Sequence, residues 1–140
     1  MAQPTSFRLP AELLRRIDEE AADRRTTVTS LVTMLLDEGL KTRRFPGIVY
    51  RDGPAGRRAG VVGGPDVWEI IRALKHAPSK GEKRILWVAQ ELAAPPSLIR
   101  LAADFYSAYP AEVDERISHD DRSANRVREL TARRDSLLSE

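Results

Sequence analysis

The sequence predicts an α+β fold that is mostly helical, and three observations lead to this prediction. Near the N-terminus, Thr5–Leu9 alternates in polarity as a strand does, and two amphipathic helical patterns follow it. Between residues 48 and 62, a turn rich in glycine and proline separates two apolar stretches, which is typical of a β-hairpin. From Pro65 onward, apolar residues recur at helical spacing between proline breaks, which predicts a small helical bundle.

These patterns divide the chain into three segments. Residues 1–44 hold the strand and two helices, residues 45–118 hold the hairpin and the bundle, and residues 119–140 form a charged helical tail. No apolar run approaches the ~20 residues that span a bilayer, and the N-terminus lacks an apolar signal-peptide core. The chain has no cysteine, which fits a reducing compartment. We therefore expect a cytoplasmic protein with no membrane partner.

The N-terminal strand presents two different faces. Phe7 and Leu9 lie on one face, whereas Ser6 and Arg8 lie on the other. Arginine suits the O6/N7 edge of guanine, and a serine hydroxyl can donate to or accept from several bases. Ser6 and Arg8 are therefore predicted to contact DNA bases. The alternative is that one exposed arginine on an edge strand is only a solvated surface group.

The two helical patterns that follow predict self-association. Each has an apolar stripe, and the stripe of the second helix is wider. A segment of about 40 residues rarely buries enough apolar area to fold alone. A lone strand also leaves its N–H and C=O groups unpaired. We therefore expect an intertwined homodimer, which can assemble further on DNA. Its predicted core consists of Phe7, Leu9, Leu13, Ile17, Leu31 and Leu35.

The corner between these helices predicts contacts to DNA phosphates. Thr27 suits the N-cap of the second helix, and a helix N-terminus offers free N–H groups and a positive dipole end to an anion. Basic residues at the corner, after the second helix and in the hairpin extend this set. The predicted phosphate-contacting residues are Arg25, Thr27, Val28, Thr29, Lys41, Arg43, Arg44, Arg57 and Arg58. The alternative is an ordinary helical hairpin with an ordinary cap.

The first segment resembles the ribbon-helix-helix family of transcriptional regulators, the Arc, MetJ and CopG type. The residues that carry the resemblance are Ser6–Leu13, Ile17, Ala21, Thr26–Val32 and Leu35–Leu36. The resemblance implies that the strand pairs with that of a second copy and that the ribbon enters the major groove of DNA. It places Ser6 and Arg8 at base-reading positions, and Thr27 with Val28 at the phosphate-binding helix start. The family often has glycine at the corner, where this chain has Arg24-Arg25.

The middle segment resembles the small hairpin-plus-helices domain of VapB-type antitoxins. The resemblance is carried by Phe45–Arg51, Arg57–Gly64, Val67–Ile71 and Ala102–Val113. Such antitoxins use a C-terminal tail to block a toxin, which implies a small nuclease toxin as a partner. The toxin-binding residues predicted in the tail are Val127, Leu130, Leu137 and Leu138. The alternative is a tail that is frayed or packed on its own dimer.

The distribution of charge favours a nucleic-acid partner. The chain carries a net charge of +2, but residues 41–84 contain 11 basic and 4 acidic groups, a balance of +7. Residues 1–40 contain 5 basic and 7 acidic groups, and residues 85–140 contain 7 basic and 10 acidic groups. Clustered positive charge attracts phosphates in a salt-dependent way. The alternative is that these residues only form a solubilising surface.

No motif favours catalysis. His76 and His119 are the only histidines and lie in different segments, and His119-Asp120-Asp121 suits a helix start better than a metal site. We expect no enzyme activity, no cofactor and no metal. The predicted function is a sequence-specific DNA-binding repressor, the antitoxin of a type II toxin–antitoxin pair that autoregulates its operon. Two alternatives remain open: a dimeric protein-interaction module that does not bind DNA, and a stand-alone regulator without a toxin.

Overall fold

A computed structural model describes residues 2–139, which form six helices and one two-stranded antiparallel sheet. The elements are α1 (Ala11–Asp23), α2 (Val28–Arg44), β1 (Ile48–Arg51), β2 (Arg58–Val61), α3 (Val67–His76), α4 (Glu82–Glu91), α5 (Pro96–Ala108) and α6 (Pro110–Leu138). The predicted class, α+β and mostly α, is confirmed. The chain divides between Arg44 and Phe45 into two compact units. Unit 1 contains α1 and α2, and unit 2 contains the hairpin and α3 to α6.

The corner between α1 and α2 is a Schellman motif in unit 1. The N–H of Thr26 donates to the carbonyl of Ala21 at 3.0 Å, and that of Arg25 donates to the carbonyl of Ala22 at 3.1 Å. Arg25 has a φ of +54°, in the left-handed region that favours glycine. The corner is therefore of the common glycine type, with an arginine in the position that glycine would normally take.

The segment before α1 is neither helix nor strand in the described chain. Residues 2–10 are exposed, and the predicted strand Thr5–Leu9 has no backbone ladder within the described residues. A strand needs a neighbouring strand to satisfy its N–H and C=O groups, and unit 1 contains no other described strand. The ribbon pairing of two copies therefore stays a prediction.

Unit 2 begins with the predicted hairpin. Strands β1 and β2 pair so that Ile48 lies opposite Val61 and Arg51 lies opposite Arg58. Gly56, in the connection between the strands, has a φ of +105°, which glycine adopts without steric cost. The register places Arg51 and Arg58 side by side at the end of the ladder that adjoins this connection.

Apolar residues of the hairpin and of all four helices of unit 2 form one core. The ring of Phe45 meets those of Phe105 and Tyr109 edge-on, with centroids 5.7 Å and 5.9 Å apart. Such edge-to-face contacts are favoured by the ring quadrupoles. The largest fully buried members of this core are Val61, Val67, Ile70, Val88, Ile99 and Phe105.

The C-terminal region corrects the predicted organisation. His119-Asp120-Asp121 was interpreted as a helix start and residues 119–140 as a separate helical tail, but α6 is one helix of 29 residues that contains all three residues. After Pro110 the helix contains no proline or glycine that would end it. Asp120 therefore lies inside the helix and not at a helix start. Charged residues recur along α6, and none of the described helices is long and apolar enough to cross a membrane.

Candidate nucleic-acid interface

Unit 1 exposes an unusual amount of apolar surface. Eight of its large apolar side chains are exposed, and Phe7 and Leu40 are the most exposed, at 77% and 70%. The other six are Leu9, Leu13, Leu14, Val28, Leu35 and Leu36. Apolar side chains exposed in such number within one small unit favour a site of interaction with another molecule.

Four of the six predicted dimer-core residues lie together in unit 1. Leu13, Ile17, Leu31 and Leu35 line a groove of about 420 Å³ formed by α1 and α2. Leu31 is already fully buried in the chain, Ile17 is half-buried, and the other two are exposed. Phe7 and Leu9 lie apart from this groove in sequence, in the extended segment before α1. The groove also has a charged rim, formed by Arg16, Glu19, Glu20 and Asp23.

The predicted base-contacting residues lie in the exposed segment that precedes α1. Ser6 and Arg8 are both exposed, and Arg8 makes no ion pair with any described residue. Their side chains are thus accessible, but the described chain places them in no ladder. Their orientation toward DNA depends on the strand pairing that stays a prediction.

The start of α2 offers two backbone donors. Thr27 Oγ1 accepts a hydrogen bond from the N–H of Ser30 at 3.1 Å, so Thr27 is the N-cap that the sequence predicted. The next N–H, that of Leu31, donates to the carbonyl of Thr27 at 3.0 Å. The first N–H groups of a helix have no intrahelical partner, which leaves those of Val28 and Thr29 to be satisfied from outside. This helix start can therefore hold an anion through its backbone.

The basic side chains around α2 differ in whether they are exposed and unpaired or already held in an ion pair. Arg25, Arg43 and Arg44 are exposed and make no ion pair with any described residue. The ammonium of Lys41, by contrast, lies 2.8 Å from the Asp37 carboxylate, and only 16% of its side chain is exposed. The three arginines are thus open to solvent, whereas Lys41 is already paired.

The hairpin arginines that were predicted to contact phosphates are tied to carboxylates. Asp66, whose side chain is 9% exposed, accepts from Arg51 Nη1 at 3.0 Å and from Arg58 Nε at 2.5 Å. Arg57 Nη1 lies 3.1 Å from Asp52 Oδ1. The phosphate contacts of Arg57 and Arg58 stay a prediction, and each guanidinium is already paired with a carboxylate of the same chain.

The pairing of Asp66 with Arg51 and Arg58, here called the Asp66 clamp, was not predicted from the sequence. It depends on close packing, since a Cβ at Gly53 would collide with the Arg58 guanidinium and one at Gly60 with that of Arg51. The indole N–H of Trp68 also donates to Asp66 at 3.3 Å. The signal that would have revealed the clamp is the strand register, which sets the two arginines opposite each other.

Much of the positive charge in residues 41–84 is neutralised within the chain. Six of its 11 basic residues form ion pairs with carboxylates, several of which come from distant elements. The six are Lys41, Arg51, Arg57, Arg58, Arg72 and Lys75. The net charge of +7 counted along residues 41–84 therefore overstates the positive electrostatic potential that this stretch presents to a partner.

One surface cluster in unit 2 shows clear pKa shifts. Lys75 Nζ lies 3.1 Å from Asp114 Oδ1 and 5.1 Å from the centre of the Tyr106 ring, and the Tyr106 hydroxyl donates to Asp114 at 2.9 Å. Hydrogen bonds to Tyr106 and Asp114 raise the pKa of Lys75. Hydrogen bonds from Lys75 and Tyr106 lower the pKa of Asp114. Both groups are held in their charged forms, and they link α3, α5 and α6.

The predicted toxin-binding residues share the distal part of α6. Val127 and Leu130 are 62% and 58% exposed, and Leu137 and Leu138 are more exposed still. They lie beyond Asp120 and Asp121, which bond to Arg72 of α3 at 2.5 Å and 2.6 Å. This part of the helix therefore carries an apolar stripe that the described residues of unit 2 leave exposed.

The histidines have ordinary surroundings. His76 Nδ1 lies 2.8 Å from the carbonyl of Arg72, and His119 is exposed on α6. Within residues 2–139, no group of three or more histidine, cysteine, aspartate or glutamate side chains is arranged to hold a metal ion.

Comparisons of the chain with models of protein families, with curated proteins and with solved structures found no match.

Proposed function

We propose that this chain is a sequence-specific DNA-binding repressor of the ribbon-helix-helix type that works as a homodimer. The observation that supports the proposal most directly is the apolar surface of unit 1, where eight large side chains are exposed. These residues include four of the six predicted core residues: Phe7, Leu9, Leu13 and Leu35. A second copy is the partner that covers the same residues on both chains at once.

The energetics favour such a dimer. Full burial of one leucine or phenylalanine contributes about 1.5–3 kcal/mol, and each copy exposes eight large apolar side chains in unit 1. Association costs about 4–15 kcal/mol in lost translational and rotational freedom. Partial burial of these side chains is therefore enough to offset that cost. Pairing of the two N-terminal segments also satisfies backbone groups that otherwise need water.

The proposed DNA contacts fall into two classes. Ser6 and Arg8 point from the paired strands to base edges in the major groove. The N–H groups of Val28 and Thr29 receive a backbone phosphate at the start of α2, which Thr27 caps. The exposed Arg25, together with Arg43 and Arg44, adds salt-dependent attraction. Arg57, Arg58 and Lys41 are left out of the set because each is held in an ion pair.

We further propose that the repressor is the antitoxin of a type II toxin–antitoxin pair, located in the cytoplasm with the nucleoid. The distal stripe of α6 would then dock on a small nuclease toxin through Val127, Leu130, Leu137 and Leu138. A partner that covered this stripe would bury apolar side chains that are otherwise in contact with water. A neighbouring nuclease gene whose product this chain inhibits supports the pairing. Failure to find such a gene favours a stand-alone regulator.

A second candidate is a dimeric protein-interaction module that does not bind DNA. The observation in its favour is the neutralisation of the hairpin arginines by Asp52 and Asp66. In this case unit 1 would serve dimerisation only. Salt dependence separates the two candidates, because a protein that neutralises phosphates releases counterions and a protein-interaction module does not.

The dimer is tested with the matched changes Leu9→Asp and Leu86→Asp. Leu86 is also exposed, at 54%, but lies on α4 in unit 2. We expect Leu9→Asp to shift the chain from dimer to monomer in sedimentation equilibrium, because it places two carboxylates in the paired core. Leu86→Asp should leave the dimer intact. A chain that is monomeric before any change would end the proposal.

DNA recognition is tested on the region upstream of the chain's own gene, over a range of salt concentrations. Arg8→Ala should reduce the preference for specific over random DNA by about 5- to 150-fold, the loss of one good base contact. The control Arg128→Ala, which removes an exposed arginine from α6, should leave that preference unchanged. A log–log salt slope near zero would contradict the repressor itself. Equal losses of affinity on specific and random DNA would instead make Arg8 a phosphate contact.

A further inference from the structure

Helix α2 contains a glycine that no contact within the described chain explains. Gly39 lies inside the helix, five residues before its end at Arg44. A Cβ at this position would meet no described atom within 4 Å outside the neighbouring backbone of the helix. Glycine in a helix interior disfavours the helix by about 4- to 5-fold relative to alanine. An alanine would thus fit the single chain and favour α2, so the reason for glycine lies outside the single chain.

The side chains around Gly39 form an exposed apolar face. Leu35 and Leu36 lie one turn before Gly39 on the same side of the helix, and Leu40 flanks them. These three leucines are 45%, 57% and 70% exposed. Leu36 and Leu40 belong neither to the predicted dimer core nor to the lining of the groove between α1 and α2. The face formed by Leu35, Leu36, Gly39 and Leu40, here called the Gly39 face, therefore needs a partner of its own.

The chemistry of the Gly39 face indicates which partner covers it. None of its four residues is charged, so its partner must be apolar and uncharged over about one helical turn. The exposed stripe in the distal part of α6 does not meet this requirement, because Arg134 lies between Leu130 and Leu137 on the same side of that helix. The Gly39 face of a second copy does meet it, since a two-fold axis brings identical surfaces together.

We propose that α2 of one copy crosses α2 of a second copy at Gly39, with the two helices antiparallel. The missing side chain lets the two backbones approach more closely than the usual 8–10 Å between helix axes, about which larger side chains keep them apart. The leucines of each copy then cover the glycine of the other. This crossing rests on the proposed homodimer and adds to it a contact outside the predicted core.

The position of Arg43 favours the antiparallel direction. Arg43 is exposed and lies one turn after Gly39, at the edge of the Gly39 face. A parallel crossing would bring the two Arg43 guanidinium groups together, and like charges repel. In the antiparallel crossing Arg43 of each copy lies near Leu35 of the other, where the stem of the arginine side chain can cover apolar surface.

The crossing is tested by sedimentation equilibrium of the full chain with Gly39→Ala. We expect the dissociation constant of the dimer to rise by about 5- to 150-fold, because each copy brings an extra methyl group into the closest contact. In the single chain the same change meets nothing and favours the helix. A variant dimer as tight as that of the unchanged chain, or tighter, would overturn the proposal.

The matched control is Asp37→Ala. Asp37 lies two residues before Gly39, on the opposite side of α2, and its side chain is 59% exposed. This change also replaces a weaker helix former with alanine. It removes the pair with Lys41 on the same helix, so it should alter the dissociation constant by no more than about twofold. Equal weakening of the dimer by both variants would show that the Gly39 face is not the contact.

A direct measurement applies if Gly39→Ala leaves no measurable dimer. The chain has no cysteine, so a single one can be introduced. Gly39→Cys should give a disulfide-linked dimer under mild oxidation, because the crossing brings the two Cα atoms within the roughly 7 Å that a disulfide spans. Asp37→Cys should not. Absence of the linked dimer in Gly39→Cys, or equal linkage in both variants, would refute the crossing.

These results separate the crossing from the dimer itself. If Leu9→Asp breaks the dimer while Gly39→Ala does not weaken it, the proposed repressor stands and the crossing is wrong. If the unchanged chain is monomeric, both are wrong.

Discussion

The two units treat their apolar side chains in opposite ways. Unit 2 fully buries Ile70, Val88, Ile99 and Phe105 in one core, whereas unit 1 fully buries only Leu31 among its large apolar residues from position 2 onward. Unit 2 thus has what a domain needs to fold by itself. Unit 1 forms its two helices but buries little apolar area within one chain. Its proposed function therefore requires a second copy, which would bury the remaining apolar side chains.

The ion pairs of the two units also differ, because those of unit 1 are local and those of unit 2 join separate elements. In unit 1 the pairs Arg15–Glu12, Arg24–Glu20 and Lys41–Asp37 each join residues one turn apart on one helix. In unit 2 the Asp66 clamp and the bonds from Arg72 to α6 join elements that are distant in sequence. Pairs within one helix support that helix only, by a few tenths of a kcal/mol. Pairs between elements hold the tertiary structure itself.

The largest expected effect comes from separating the units. A fragment of residues 45–140 should unfold cooperatively, with a midpoint that does not depend on its concentration, because its core is complete. A fragment of residues 1–44 should melt at a temperature that rises with concentration, since only association buries its apolar face. Circular dichroism at 5 and 500 µM measures both. A concentration-independent midpoint for residues 1–44 would remove the contrast between the units.

The next largest effect is expected from Asp66→Ala in unit 2. The change leaves Arg51 and Arg58 without their carboxylate in a half-buried position, so it should lower the free energy of unfolding by about 3 kcal/mol. Urea denaturation followed by tryptophan fluorescence measures this loss. The control Asp135→Ala removes an exposed carboxylate that pairs with the adjacent Arg134, and it should change stability by less than about 0.5 kcal/mol. Similar small losses in both variants would show that the clamp is not stabilising.

The smallest effect is a difference in acid stability between two carboxylates with lowered pKa values. Bonds from Lys75 and Tyr106 lower the pKa of Asp114, and a bond from Arg15 lowers the pKa of Glu12. A lowered folded pKa means that the stabilisation is present above the unfolded pKa and is lost as the pH falls through the folded one.

Denaturation midpoints between pH 2 and 6 therefore distinguish the two residues. Asp114→Asn should flatten the acid dependence of unit 2 below the ordinary aspartate value of 3.8, because the residue links three elements. Glu12→Gln should change only the helix content of unit 1, since Glu12 contacts its own helix. Equal pH profiles for Asp114→Asn and the unchanged chain would show that the linkage contributes no stability.

Local patterns in the sequence were enough to predict most of the elements. The alternation and turn residues around Gly56 predicted the hairpin, and the spacing of residues such as Ile70 and Leu74 predicted the helices of unit 2. Thr27 was predicted as a cap because the capping bond reaches only three residues along the chain. The helix start predicted at His119-Asp120-Asp121 was wrong, because these residues lie within α6 and neither proline nor glycine breaks the helix before them.

The sequence by itself determined the class of fold, the order of the elements and the apolar face of unit 1, because these follow from residues a few positions apart. Only the tertiary structure decided which charges remain available. Arg58 and Asp66 are eight residues apart and Arg72 and Asp120 are 48 apart, yet each pair is in contact. Such pairings depend on strand register and helix packing, which no count of charge along the chain contains. They place Arg58 and Arg72 in ion pairs with carboxylates that the sequence alone did not identify as their partners.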